Sequence, residues 1–320
     1  MPRKKRLTVP GALHHVMARG IEGQDIFLDD EDRRFFLHLL TVGLTATGYH
    51  CYAWALMSNH YHFLFRASDQ PLSALMRQLN SRYARYFSRK YKRKGYLFQD
   101  RFKSIATQDQ GYIEELVCYI HLNPIRAGVC STIAELDRFA WSGHAVLMGK
   151  QSCGFQRTSP VLKRFYGDPK KYQEFLKERL GRTTGETIID QVRNSNASKE
   201  NIYNHGCWVI GDKDFVARAL NHDKENRLRM AEYLKTGWDL QRLKIFVLDR
   251  MKIIDDDLFA RGRENSRSEA RKIFAYLGHR VLGYRVIDIA KFLKISGPAV
   301  SQVLEAGKIL SIAKGVDKLN

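Results

Sequence analysis

The sequence predicts an α+β fold: a ferredoxin-like βαββαβ unit with one further helix, followed by an all-α C-terminal region that ends in a helix-turn-helix. Three observations point to it. The run WALMSNHYHFLFRA, Trp54 to Ala67, holds two apolar strands joined at Ser58-Asn59, a hairpin signature. Stretches of helical periodicity flank that hairpin on both sides. After about residue 205 helical patterns dominate and the sequence closes on two short amphipathic stretches around a tight turn.

The elements follow in order. Leu13 to Ala18 reads as a strand ending at Arg19-Gly20, and Asp29 or Asp30 offers a cap for a helix whose apolar positions are Phe35, Phe36, Leu39, Leu40 and Leu44. Tyr49 to Met57 and His60 to Arg66 form the hairpin strands. Ser73 to Tyr91 is helical, with Leu75, Leu79, Tyr83 and Tyr86 on one stripe. Tyr96 to Thr107 reads as the fourth strand, and Gly111 to Asn123 as a helix stopped by Pro124. In such a βαββαβ unit both helices pack on one sheet face and leave the other open.

Four regions are expected: 1–150 for this unit, 151–205 as a connecting region with short helices and no strands, 206–262 as a helical segment, and 263–320 as the helix-turn-helix domain. In the last, a helix over 267–282 precedes a second, Val286 to Leu293, and a third, Gly297 to Glu305. Ser296 is placed to cap the third helix, and Pro298 sits in its first turn, where a missing N–H costs little. If this unit reads duplex DNA, Ser296, Gly297, Ser301 and Gln302 are the positions nearest it.

Charge narrows the partner. Lys and Arg number 53 against 34 Asp and Glu in 320 residues, a net charge of +19, with an isoelectric point near 9.7. That balance suits a polyanion, most simply nucleic acid. The basic residues concentrate at Arg82, Arg85, Arg89, Lys90, Lys92 and Arg93, with Gln99, Arg101 and Lys103 on one face of the expected fourth strand. Aromatic rings interleave with them, a combination suited to a single strand, where phosphates are neutralised and bases stack. The start, Met1 to Arg6, reads as a basic arm. Five cysteines without a C-x-x-C pair fit a reducing cytoplasm, and no apolar run reaches membrane-spanning length.

His60 and His62, two apart on a strand, emerge side by side while Tyr61, Phe63 and Phe65 turn to the core. Two imidazoles so placed can hold one cation. Tyr119 and Asn123 are four apart on the helix after the last strand and share one face. If that helix covers the open sheet face, Asn123 can give its amide oxygen to the cation and Tyr119 its phenol to a phosphate. Tyr112 and Tyr61 compete for the nucleophile's place, Tyr61 weakly because it points away from the histidines. His14 or His15 could reach the substrate from the first strand.

The segments HHVMARG (14–20), QDIFLDDED (24–32), WALMSNHYHFLF (54–65), YLFQDRFKS (96–104) and YIHLNPIRAG (119–128) together resemble the HUH single-strand transposases with one catalytic tyrosine, in particular the REP-associated tyrosine transposases. The resemblance covers residues 1–150. It implies that His60 and His62 are metal ligands completed by Asn123, that Tyr119 is the nucleophile, and that the ion is Mg2+ or Mn2+. It further implies cutting and rejoining of single-stranded or hairpin DNA by a monomer or a homodimer. Residues 266–308 resemble, on spacing and a few residues, the helix-turn-helix domain that ends bacterial replication initiators. The rival expectations are a nicking replication initiator or relaxase with the same chemistry, and a non-catalytic DNA-binding regulator that keeps only the fold.

Overall fold

The computed structural model describes residues 9–68, 70–108, 111–181, 200–204, 207–254, 258, 265–317 and 319. The basic arm expected at Met1 to Arg6 lies outside them. The chain forms two compact units, residues 1–221 and 222–320. Among the described residues no helix is long and apolar enough to cross a membrane.

The first unit is built on β1 (Leu13–Arg19), α1 (Asp30–Thr47), β2 (His50–Leu56), β3 (His60–Arg66), α2 (Leu72–Lys90), β4 (Lys103–Thr107) and α3 (Ile113–Arg126). Strands β2-β3-β1-β4 lie in that order and pair antiparallel throughout, the ferredoxin-like arrangement. The alternation of β3 divides its side chains between two cores. Tyr61, Phe63 and Phe65 pack with Phe36, Leu40, Leu75, Leu79 and Tyr83 of α1 and α2. On the other face Leu13, Leu64 and Ile105 pack with Leu116, Val117 and Ile120 of α3.

Local chemistry sets the helix ends. Asp29 caps α1, its Oδ1 accepting the Asp32 N–H at 2.8 Å, while Asp32 accepts the Leu28 N–H at 2.9 Å. Gly48 ends that helix at φ 70°, a left-handed position that glycine adopts without strain.

Three expectations need correction. The stretch 96–107 is a strand only from Lys103; before it the chain touches the sheet through one bridge, Gly20 to Phe98. Gln99 and Arg101 therefore do not share a strand face with Lys103. Pro124 does not stop α3, which runs to Arg126. Pro124 cannot donate to the Ile120 carbonyl four residues back, and the Asn123 side chain compensates only in part, its Nδ2 reaching that carbonyl at 3.5 Å while donating to the Tyr119 carbonyl at 2.8 Å. Finally, the region expected to lack strands contributes β5 (Glu200–Asn204), and Cys207–Gly211, read as helical, is β6. β6 pairs parallel with β4 and antiparallel with β5, extending the sheet to six strands in the order β2-β3-β1-β4-β6-β5.

Between these elements the chain makes α4 (Ile133–Leu136), α5 (His144–Leu147), α6 (Ser159–Leu162) and α7 (Pro169–Gly181), which cover α3. A buried polar chain runs through them. Asp137 accepts from His144 Nε2 at 2.7 Å, so His144 Nδ1 is left to accept the Tyr172 hydroxyl at 3.1 Å, and the Tyr172 oxygen accepts from His121 Nδ1 at 2.7 Å. His121 thus ties α3 to α7. Glu115 of α3 and Arg179 of α7 add a bidentate ion pair.

α8 (Lys213–Lys235) carries the boundary between the two units. The second unit continues with α9 (Leu240–Met251), α10 (Asn265–Tyr276), a π turn at Leu277–Val281, α11 (Val286–Leu293) and α12 (Gly297–Ala313). α11 and α12 are joined by a tight turn in which Lys294 adopts φ 54°. Ser296 caps α12, its Oγ accepting the Ala299 N–H at 3.3 Å. α12 is longer than its expected end at Glu305 because its C-terminal half packs on α10. A Cβ at Gly307 would lie 2.0 Å from the Lys272 carbonyl oxygen, so the contact requires glycine.

Candidate active site

The α3 face of the sheet brings the sequence-selected residues together. β1 and β3 pair in the register Met17 to His62 and Arg19 to His60, and β4 pairs Lys103 with Met17, so His62, Met17 and Lys103 stand in one row. His60 and His62 project from β3 with ring centroids 5.0 Å apart and planes nearly perpendicular. α3 packs on β2 and β3 and sets the half-buried Tyr119 ring 5.9 Å from His62 and 5.6 Å from His15.

His15, rather than His14, faces this cluster. Its Nε2 lies 2.9 Å from His62 Nδ1, the two rings nearly parallel. His14 turns to the opposite face, where its Nδ1 meets Ser104 Oγ at 3.1 Å. Tyr61 lies in the other core with its hydroxyl on Asn80, which removes it as a rival nucleophile near the histidines. Tyr112 is buried at the N-terminal cap of α3.

The protonation pattern favours ligand binding. Burial, reinforced by Arg19, holds His60 at a pKa of about 4. Burial takes His15 to about 3 and His62 well below its ordinary value. All three rings are therefore neutral at physiological pH. Asn59 Nδ2 donates to the Gly23 carbonyl at 3.0 Å, which turns Asn59 Oδ1 toward His60 Nδ1 at 2.6 Å. An amide oxygen only accepts, so His60 carries its proton on Nδ1 and presents the Nε2 lone pair. The matching tautomer of His62 donates from Nδ1 to His15 Nε2 and likewise presents Nε2.

Two neutral imidazoles, one with its tautomer fixed by a hydrogen-bonded neighbour, suit a divalent cation, and the Asn123 amide nitrogen is engaged by the helix, which leaves Oδ1 as its accepting end. Among the described residues no group of three His, Cys, Asp or Glu could hold a metal.

Not every basic position is available to a nucleic acid. Lys90 is committed to Asp29, Glu31 and Asp32 at 2.8 to 3.0 Å, and Arg93 donates to Gln24 Oε1 at 2.6 Å. Arg82, Arg85 and Arg89 are exposed and line an open groove of about 550 Å³ with Phe35 and Tyr86. That groove lies on the α1–α2 side, opposite the histidines. Of the interleaved rings, Tyr83, Phe87 and Phe102 are core, while Tyr96 is 83% exposed. Lys92, Gln99 and Arg101 are exposed, as is Lys103 beside the site. In the second unit Ser301 and Gln302 are exposed on the first turns of α12, whereas Ser296 spends its hydroxyl as the cap.

Sequence reasoning missed Asn59, Arg19 and Arg126. The signal for Arg19 was its strand parity with His15, and for Arg126 its seven-residue distance from Tyr119, two turns along one helix face. The Arg126 guanidinium carbon lies 5.1 Å from the centre of the Tyr119 ring.

Residues 9–123 match the family model described as transposase IS200 like. Among solved structures, the chain is similar to a REP-associated tyrosine transposase bound to a REP hairpin, at 14% identity and a TM-score of 0.39, with 49% of this chain and 98% of that chain covered. It is also similar to tRNA(His) guanylyltransferase from Saccharomyces cerevisiae, at 12% identity and a TM-score of 0.30, covering 58% of this chain and 85% of that one. No curated protein matches the chain significantly.

Proposed function

We propose that the first unit is a DNA transesterase of the IS200-like transposase type, cutting and rejoining a single strand through Tyr119. The observation that carries this reading is the placement of Tyr119, 5.9 Å from His62, inside the segment that matches the transposase family model. The Tyr119 oxygen loses its proton and attacks phosphorus, the P–O3′ bond breaks, and the departing 3′ oxygen takes up a proton. The 5′ side of the strand stays as a phosphotyrosine ester. One ester replaces another, so the reverse attack by a 3′-hydroxyl reseals the strand without a nucleoside triphosphate.

His60 and His62 through Nε2, with Asn123 through Oδ1, would hold Mg2+ or Mn2+, which when bound supplies Lewis-acid polarisation of the phosphate. Burial raises the pKa of the Tyr119 phenol and the neighbouring Arg126 charge lowers it, so the guanidinium opposes the cost of forming phenolate. The proposed substrate is single-stranded or hairpin DNA, held by Lys103 beside the site and by Arg82, Arg85, Arg89, Lys92 and Arg101 elsewhere on the unit. Gly297, Ser301 and Gln302 at the start of α12 are proposed to meet duplex DNA. Cys51, Cys118, Cys130 and Cys153 are free thiols, consistent with work in a reducing cytoplasm.

The test is a labelled set of hairpin-bearing oligonucleotides incubated with protein and Mn2+. A covalent adduct resistant to denaturation, lost in Tyr119→Phe and in excess EDTA, is expected. An adduct retained in both conditions overturns the reading.

A further inference from the structure

Arg126 occupies the last turn of α3, two turns beyond Tyr119 on the same face. Helical side chains lean toward the N-terminus, which carries the guanidinium back over the Tyr119 ring at 5.1 Å. Its Nε is buried and has no hydrogen-bond partner. Among the described residues no carboxylate forms an ion pair with it. A buried cationic donor with no acceptor is costly, and such a group is ordinarily matched by an anion.

Several other cations of this unit have a carboxylate partner: Lys90 has three, Arg179 has Glu115, and Arg33, although its Nε is also unmatched, has Asp30. Arg126 instead keeps company with a phenol and, through it, with neutral imidazoles. An anion attacked by that phenol would lie next to Arg126. We infer that Arg126 binds the scissile phosphodiester, donating from Nε and its terminal nitrogens to the non-bridging oxygens of the phosphate beside Tyr119. This deepens the transesterase reading and rests on it for the identity of the phosphate. Charge grows on those oxygens during attack, so a planar donor fork placed there stabilises the transition state as well as the bound strand.

The cation–π contact alone could also be a prop for the end of α3, and the experiment separates the two roles. Fluorescence anisotropy with a labelled twenty-nucleotide oligothymidylate, in EDTA so that no cleavage occurs, is measured across a salt series for the full chain, Arg126→Gln and Arg126→Lys. Far-UV circular dichroism confirms that each variant is folded. Loss of one phosphate contact predicts binding weaker by on the order of tenfold in Arg126→Gln, with a log–log salt slope shallower by roughly 0.7, and Arg126→Lys recovering the slope. Unchanged affinity and slope in Arg126→Gln, or failure of Arg126→Lys to recover the slope, overturns the inference.

A second arm places the contact. On the oligonucleotide that forms the adduct, a neutral methylphosphonate at the cleaved position should abolish the difference between Tyr119→Phe and Tyr119→Phe/Arg126→Gln. If the difference persists, Arg126 binds another phosphate. If the wild type forms no adduct with any oligonucleotide, the transesterase reading fails while the oligothymidylate series still decides whether Arg126 contacts phosphate.

Discussion

Asn59 fixes the tautomer of His60. Its Oδ1 faces His60 Nδ1 at 2.6 Å because its own amide nitrogen is held by the Gly23 carbonyl at 3.0 Å. The turn residue before the histidine pair therefore points the His60 Nε2 lone pair into the site. Asn59→Ala should weaken Mn2+ binding by roughly 10- to 100-fold, the range for loss of a partner behind a histidine ligand. Titration calorimetry or the electron paramagnetic resonance signal of free Mn2+ reads the change. Affinity equal to wild type would show that His60 needs no such orientation.

Lys90 and the exposed arginines of α2 should respond oppositely to mutation. Removing Lys90 leaves Asp32, whose side chain is 0% exposed, beside Asp29 and Glu31 without its counterion. Lys90→Ala should lower the melting temperature and leave the salt slope of single-strand binding unchanged. Combined Arg82→Gln, Arg85→Gln and Arg89→Gln should keep the melting temperature and flatten the slope by roughly 0.7 per lost phosphate contact. A flat response in the triple variant would make that groove a solvated face.

Tyr172 is the centre of the strut between α3 and α7. Tyr172→Phe removes the hydroxyl that serves both His121 and His144 and leaves two buried ring nitrogens unmatched. A loss of about 1–3 kcal/mol is expected from such unsatisfied groups, read from the urea midpoint. Stability within a few tenths of wild type would show that the strut contributes nothing net.

Acid should weaken the first unit through its buried histidines. Burial holds His14 at about 4 and His15 at about 3, both below the ordinary 6.5. The unfolded chain therefore binds protons that the folded chain refuses as pH falls below 6.5, and stability declines from there toward pH 4. Each histidine contributes at most about 1.4 kcal/mol per pH unit in that window. Urea midpoints at pH 7.5, 6 and 5 test this, and a flat profile contradicts it. Replacing His14, which faces away from the site, should reduce the slope without touching the proposed metal ligands.

What the sequence revealed and what it hid divide along the range of the interactions. The β2–β3 hairpin, the partition of Tyr61 from His62 and the cap at Asp29 are local, written in alternation and in a few adjacent residues. The strand β6 owes its place to a parallel partner, β4, a hundred residues earlier, which no local pattern records. Tyr96 to Phe102 alternates like a strand yet pairs only at Phe98, because bends at Leu97 and from Gln99 to Arg101 interrupt it. Strand parity could not choose between His14 and His15 until the register of β1 against β3 was known. Pro124 looked like a stop because the compensating Asn123 amide is a side-chain bond across one helical turn.

In the proposed reaction the oxygen of Tyr119 becomes bonded to DNA. Trypsin digestion of the adduct formed with Mn2+, followed by nuclease trimming and tandem mass spectrometry, identifies the residue that carries the nucleotide. The account predicts a nucleoside 5′-phosphate on Tyr119, with no modified peptide in Tyr119→Phe. A nucleotide on Tyr112, or on any other residue, with Tyr119 unmodified would contradict it.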